Sequence, residues 1–247
     1  MVRLLVMTAL AVAALAASPT TVQAQRYNVH YTLLESQRPL PKKLVILPVD
    51  ITVREMSAGG VLEKVPEWTR DASQSIQHAI EESVKPRSDF TIVPMPTLST
   101  DEEAFLDEYL ASYLVVGLTA QNMTQYGGAA WEHKRKHFDY TLGTGLKFLK
   151  EKTGADAAIV AVGDDVVSTA GRKTAFVVLA ALGIAIPLGR SVLSLGVVDL
   201  GNGDILWQHF DTSVSTDLKD PAGAASMIRG ILQAYPGVEA RRAAQVK

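Results

Sequence analysis

Apolar residues recur along this chain with changing period, and each change marks an element. Residues 44–51 (Leu-Val-Ile-Leu-Pro-Val-Asp-Ile) are continuously apolar around one proline, which predicts a strand with Pro48 at a sheet edge or bulge, because proline donates no ladder hydrogen bond. Trp68, Ala72, Ile76, Ala79, Ile80 and Val84 then recur at helical spacing between Pro66 and Pro86. Residues 90–94 form a short strand. Thr100-Asp101-Glu102-Glu103 has the form of a capping box and opens a helix carrying Phe105, Leu106, Tyr109, Leu110, Tyr113 and Leu114, running toward Val116.

A further helix is expected over residues 140–152, with Leu142, Leu146 and Leu149 inward and Gly154 capping its end. Residues 155–162 read as an apolar strand. Residues 192–200 and 205–210, joined by Gly201-Asn202-Gly203-Asp204, spell a β-hairpin. Alternation within its second strand sends Ile205, Trp207 and His209 to one face. Asp220-Pro221 start a last helix with Ala224, Ile228, Ile231 and Leu232 inward, stopped by Pro236-Gly237. This order predicts an α/β fold: a mixed β-sheet packed with amphipathic helices, a C-terminal hairpin and a closing helix.

Two segments depart from these periods. Residues 4–17 are apolar without a charge, follow Arg3, and are broken by Pro19 before small residues at Val22-Gln23-Ala24. That is the layout of a cleavable signal peptide over residues 1–24, with the mature chain beginning at Gln25. The run is short for a membrane span, which needs about 20 apolar residues; the alternative is an uncleaved anchor. Residues 25–42 read as an arm, 43–235 as a single domain and 236–247 as a tail.

The second segment is residues 175–189, fifteen residues without a charge or strongly polar group, flanked by Arg172, Lys173 and Arg190. As one helix it would reach only about 22 Å, short of a bilayer core of about 30 Å. Gly183 and Pro187 further oppose a single helix. As paired strands it could span a membrane only if neighbouring subunits closed a barrel. It is either an apolar insertion packed inside the domain or an exposed element meeting a membrane or partner. In the second case the contacting residues are Phe176, Leu179, Leu182, Ile184 and Ile186, with Arg172, Lys173 and Arg190 beside them.

Composition narrows the functional classes. The chain contains no cysteine, so disulfides, thiolate zinc sites, cysteine nucleophiles and lipidation at a cysteine are excluded. An exported chain of this length without disulfides relies on its core, which suits a bacterial periplasm. The formal charge of −2 gives no basic excess for nucleic acid.

Candidate chemistry is sparse. His133 and His137 lie four apart, a chelating separation on a helix, but Lys134, Arg135 and Lys136 between them repel a cation. Glu132 precedes the first histidine, so this is not the zinc-peptidase arrangement. No metal site is assigned, and the two histidines remain its only candidates; a solvated basic loop, or a contact with an anion, headgroup or partner, are the other readings. Asp164-Asp165 are expected as a polar loop after a strand, with side chains pointing to opposite faces. Gly143-Thr144-Gly145-Leu146-Lys147 lacks the spacing of a phosphate loop, and no serine lies in G-x-S-x-G. No cofactor and no catalytic residue are expected.

The sequence Thr153-Gly154-Ala155-Asp156 before a strand, together with Val198-Asp199-Leu200-Gly201-Asn202-Gly203-Asp204-Ile205-Leu206-Trp207, resembles envelope lipoproteins related to the curli secretion channel and to the outer-membrane activators of peptidoglycan synthases. These share a domain similar to the N-terminal domain of the Tol-system β-propeller protein. The resemblance covers about residues 43–235, and the lipidated cysteine of that group is absent. It implies a non-enzymatic periplasmic accessory of the cell envelope, peripheral to the outer membrane, acting through an envelope protein partner or self-association. The alternative it leaves is a membrane-associating or pore-forming secretion subunit using residues 175–189. A metal-assisted enzyme around His133 and His137 stands third.

Overall fold

The computed structural model describes residues 27–125, 133–134, 137–214 and 216–239. The expected signal peptide, Gly127-Gly128, Glu132, Arg135, Lys136 and residues 240–247 lie outside the described residues.

Strand β6 (Ala157–Ser168) is the axis of an eight-stranded mixed sheet. One side of β6 pairs antiparallel with β7 (Arg190–Asp199), which pairs with β8 (Ile205–Ser213), which in turn pairs with β1 (Tyr27–Val29). The other side is shared in succession by two parallel strands, β2 (Lys43–Ile46) against residues 157–159 and β3 (Asp50–Met56) against residues 162–168. Pro48 separates those two, after Leu47 has made the last bond of the first pairing through its N–H to the Ile159 carbonyl at 3.0 Å. The single strand expected over 44–51 is therefore two, divided where proline cannot donate. Beyond them β5 (Thr91–Val93) pairs with β2, and β4 (Leu62–Lys64) forms a hairpin with β3.

Period-two alternation sends side chains of β6 into two cores. Ala157, Ile159 and Ala161 join one core with helices α2 (Pro66–Val84) and α6 (Pro221–Gln233) and the short α1 (Tyr31–Leu34). Ala158, Val160 and Val162 join the other with α3 (Thr100–Gln125) and α4 (Lys147–Thr153). On α2 the buried positions are Ala72, Ile76, Ala79, Ile80 and Val84, the set its periodicity predicts apart from Trp68, which is half-buried against the same core. Gly154 adopts φ 67° and ends α4 in the left-handed conformation, which costs glycine no Cβ clash.

Four expectations need correction. The helix expected over 140–152 begins only at Lys147, after a 3-10 turn at Thr144–Leu146. Residues 140–142 instead run extended beside the β7–β8 turn, where Ile205 donates to the Tyr140 carbonyl and Leu142 donates to Gly203, each at 2.9 Å. The capping box of α3 sits one residue earlier than expected: Ser99 Oγ accepts from Glu102 N–H while Glu102 Oε2 accepts from Ser99 N–H at 2.9 Å. Asp164 and Asp165 are not a loop but interior residues of β6. Their carboxyls are satisfied on opposite faces, Asp164 by Arg54 Nε at 2.9 Å and Asp165 by Ser191 and the Leu218 N–H. Finally, a bulge between Val197 and Val198 leaves Leu206 without a Cα partner on β7. Ile205 consequently enters the α3–α4 core while Trp207 enters the α2–α6 core.

The segment before β2 is joined to the domain. β1 extends the sheet, and Arg38 reaches the β7–β8 turn, pairing with Asp204 at 2.6 Å and Asp199 at 3.5 Å. At the other terminus Val238 is buried.

Candidate contact surface

Strand register brings three connections to one end of the sheet. Met56, the end of β3, pairs with Ser168, the end of β6; Val166 pairs with Arg190, the start of β7; Ser191 pairs with Ser213, the end of β8. The turn at 57–61, the connection at 169–189 and the residues from 214 onward therefore leave the sheet at the same edge.

The middle connection holds the apolar insertion. Thr169 caps helix α5 (Ala170–Ala181) by accepting from Arg172 N–H at 3.1 Å. The helix stops at Leu182, and Gly183, with φ 77°, turns the chain into an irregular return. Gly183 and Pro187 thus exclude one continuous helix, as their positions predict. The return is tied down by Arg172, only 6% exposed, whose Nε and Nη2 donate to the Pro187 carbonyl at 3.0 and 2.8 Å. Its Nη1 also reaches the Ala58 carbonyl at 3.4 Å, so one guanidinium joins the insertion to the β3–β4 turn.

The insertion is open to solvent along most of its length. Leu182 is 71% exposed, Val177 66% and Val178 57%, and Ile184 and Leu188 are also exposed. Phe176, Leu179 and Ile186 are half-buried. Lys173 and Arg190 are exposed at its two ends. Arg172 stands apart from them, because it is a buried strut within the domain rather than a presented charge.

Residues that the sequence reading did not single out extend this patch. Val61 and Leu62 are exposed on the β3–β4 hairpin, and Val214, 84% exposed, shares a depression with Lys173, Leu188 and Arg190. Gly59-Gly60 between two apolar stretches is a hairpin signal that could have revealed the first pair. Val214 carries no such signal, because its place depends on where β8 ends.

The floor of that depression holds Asp165, 1% exposed, and Ser191. Ser191 Oγ lies 2.7 Å from Asp165 Oδ1 and 2.5 Å from the Thr216 carbonyl, while Leu218 N–H donates to Asp165 Oδ2 at 3.1 Å. Burial pushes the Asp165 carboxyl above its usual range; Asp217 adds to this, whereas the bonds from Ser191 and Leu218 and the Lys219 charge oppose it. Both side chains are shut off from solvent, so this pair fastens β6, β7 and the approach to α6 to one another.

His133 and His137 are both exposed. His137 lies 4.0 Å from Glu35 and edge-on to the Tyr31 ring, and Lys134 pairs with Asp139 at 2.5 Å. Among the described residues no group of three or more His, Cys, Asp or Glu could hold a metal ion, and no helix is long and apolar enough to cross a membrane. A groove of about 620 Å³ runs between residues 33–40 and 236–239. Its lining is mainly Leu33, Pro39, Leu40, Pro236 and Val238, and its one cation, Arg38, is already paired with Asp204.

No family model matches the chain, and neither does any curated protein. Among solved structures the chain is similar to the PelC dodecamer from Paraburkholderia phytofirmans, with a TM-score of 0.33 and 10% identity over 77% of this chain and 84% of that one. It is also similar to the LpoB C-terminal domain from Salmonella enterica, with a TM-score of 0.25 and 11% identity over 75% and 95% of the two chains. Likeness at this level carries no argument about role or assembly.

Proposed function

We propose that this chain is a non-enzymatic accessory protein of the bacterial cell envelope, exported to the periplasm, that works by surface contact through residues 175–189. One observation carries the reading: an apolar segment with Val177, Val178, Leu182, Ile184 and Leu188 exposed lies at one end of the sheet, held there by the buried Arg172. Exposing contiguous apolar surface is unfavourable in water, and soluble monomers keep such patches small unless they meet something. The occupant is an envelope protein, a second copy of the chain, or a membrane surface. Outer-membrane pore formation is the most demanding version of the last, since it would require α5 and the return to refold as strands and to close with other subunits.

Fractionation of cells producing the protein tests the reading. A contact protein of the envelope is exported, and part of it sediments with membranes until a carbonate wash releases it. Leu182→Asp combined with Ile184→Asp should leave export and melting temperature unchanged and move the protein wholly to the soluble fraction. An unchanged distribution would remove residues 175–189 from the contact.

A further inference from the structure

We infer that the end of the sheet formed by α5, its return loop and the β3–β4 turn is a docking face for a phospholipid surface of net negative charge. This rests on the contact reading above and names the occupant of that same face.

The connections at residues 57–61 and 169–190 contain Arg172, Lys173 and Arg190 and no carboxylate, in a chain whose formal charge is −2, and Asp217, which lines the adjoining depression, is paired with Lys219. Arg172 is consumed internally, whereas Lys173 and Arg190 are exposed and make no ion pair among the described residues. The two free cations flank the apolar segment rather than interrupt it. Lys173 and Val177 share one face of α5, four residues apart, as do Val178 and Leu182. On the return, Arg190 follows Leu188 by two residues.

An apolar wedge with cations at its base matches the two layers of a lipid interface. Valine, leucine and isoleucine side chains enter the headgroup–acyl boundary to a depth of about 5–10 Å, while lysine and arginine stems let their charges stay at headgroup level. The helix is too short to span, and a glycine turn with an irregular return suits a segment that dips in and comes back. Val61 and Val214 widen the apolar footprint on either side. Two-fold pairing of the same face with a second copy fits less well, because it would bring Lys173 and Arg190 of each copy together, and the partly exposed carboxylate beside them, Asp217, is already paired with Lys219.

Co-sedimentation of the purified protein with vesicles provides the test. One set is phosphatidylcholine alone and the other an equal mixture of phosphatidylcholine and phosphatidylglycerol. Binding should be stronger to the mixed vesicles and should weaken as salt is raised. Lys173→Gln and Arg190→Gln should each lower the partition to mixed vesicles by about fivefold. Leu182→Asp with Ile184→Asp should lower it by at least about tenfold, with little change in melting temperature, since Leu182 is 71% and Ile184 50% exposed in the free protein. Equal binding to both vesicle types, or indifference to the two glutamine variants, overturns the headgroup assignment. Failure to bind either vesicle, accompanied by self-association in sedimentation velocity that the aspartate pair abolishes, overturns the lipid occupant while leaving the contact reading intact. If the aspartate pair leaves vesicle binding unchanged, the lipid assignment of this face fails, and the contact reading fails only if the same pair also leaves the cell fractionation unchanged.

Discussion

Asp165 and Ser191 show how much a single proton can decide. The Ser191 hydroxyl has one proton and two close oxygen neighbours, and one of those, the Thr216 carbonyl, can only accept. Both bonds form together only when Asp165 is itself protonated and donates to Ser191. Burial acts in the same direction, raising the Asp165 pKa above that of the unfolded chain. A carboxyl whose folded pKa is raised contributes stability that is complete below its unfolded value, about 3.9, and is lost as pH rises through the folded value. Asp165→Asn keeps a donor for Ser191 and an acceptor for Leu218 but cannot ionise. Its melting temperature should therefore lack the decline with rising pH that the wild-type chain shows above the unfolded carboxylate range; parallel profiles would place the ionised form at this site. Trp207 is the second decisive residue, 1% exposed, edge-on to Tyr235 at 5.3 Å and beside Tyr27. Trp207→Ala should cost about 3–5 kcal/mol in denaturant unfolding. Because its indole N–H has no partner among the described residues, Trp207→Phe should cost distinctly less.

At the scale of elements, what was legible in the sequence is what is specified locally. α2 and α6 carry their burial pattern in their own periodicity, and the β7–β8 hairpin carries its turn in Gly201-Asn202-Gly203-Asp204. The strands that were missed are specified by their partners. β1 and β4 are three residues each, too short for a period, and they exist because β8 and β3 offer open edges. β6 outran its expected end because Gly163-Asp164-Asp165 has turn composition while its polar groups find Arg54, Ser191 and Leu218 only in the folded chain. α3 was recognised by its apolar residues, yet it also buries a polar seam in which Tyr113 meets Ser194 at 3.2 Å and Gln121 faces Asn28. That seam lets the helix approach closely: a Cβ on Gly196 would fall 2.2 Å from the Tyr113 hydroxyl. The start of α3 can be checked directly. Ser99→Ala should cost about 1 kcal/mol, the usual worth of an N-cap side chain, whereas Thr100→Ala should cost much less. The reverse order would restore the capping box read from residues 100–103.

At the scale of the molecule, two sealed cores on either face of the sheet account for most of the apolar residues, and the contact surface is what they leave over. The sequence identified the segment, residues 175–189, from its lack of charge, and it named both flanking cations. It could not say whether the segment was inside or outside, because an apolar run reads the same in either place. Register decides that question, by bringing the ends of β3, β6 and β8 and the start of β7 to one edge and leaving the connection between β6 and β7 uncovered. The same register adds Val61, Leu62 and Val214, which lie far apart in the chain.

Hydrogen–deuterium exchange of the protein alone and in the presence of native envelope membranes tests the contact role most directly, whether the occupant is lipid or an envelope protein. In the return loop the amides of Leu182, Gly183 and Ile184 donate to Leu179 and Ala180 in the last turn of α5 and that of Gly189 to Ser168, and this exposed segment should exchange quickly in the free protein. A contact surface there predicts slowed exchange over residues 176–189 on adding membranes, with the β6–β7–β8 strands unchanged. Protection confined to another surface, such as the groove between residues 33–40 and 236–239, with residues 176–189 unaffected, would contradict it.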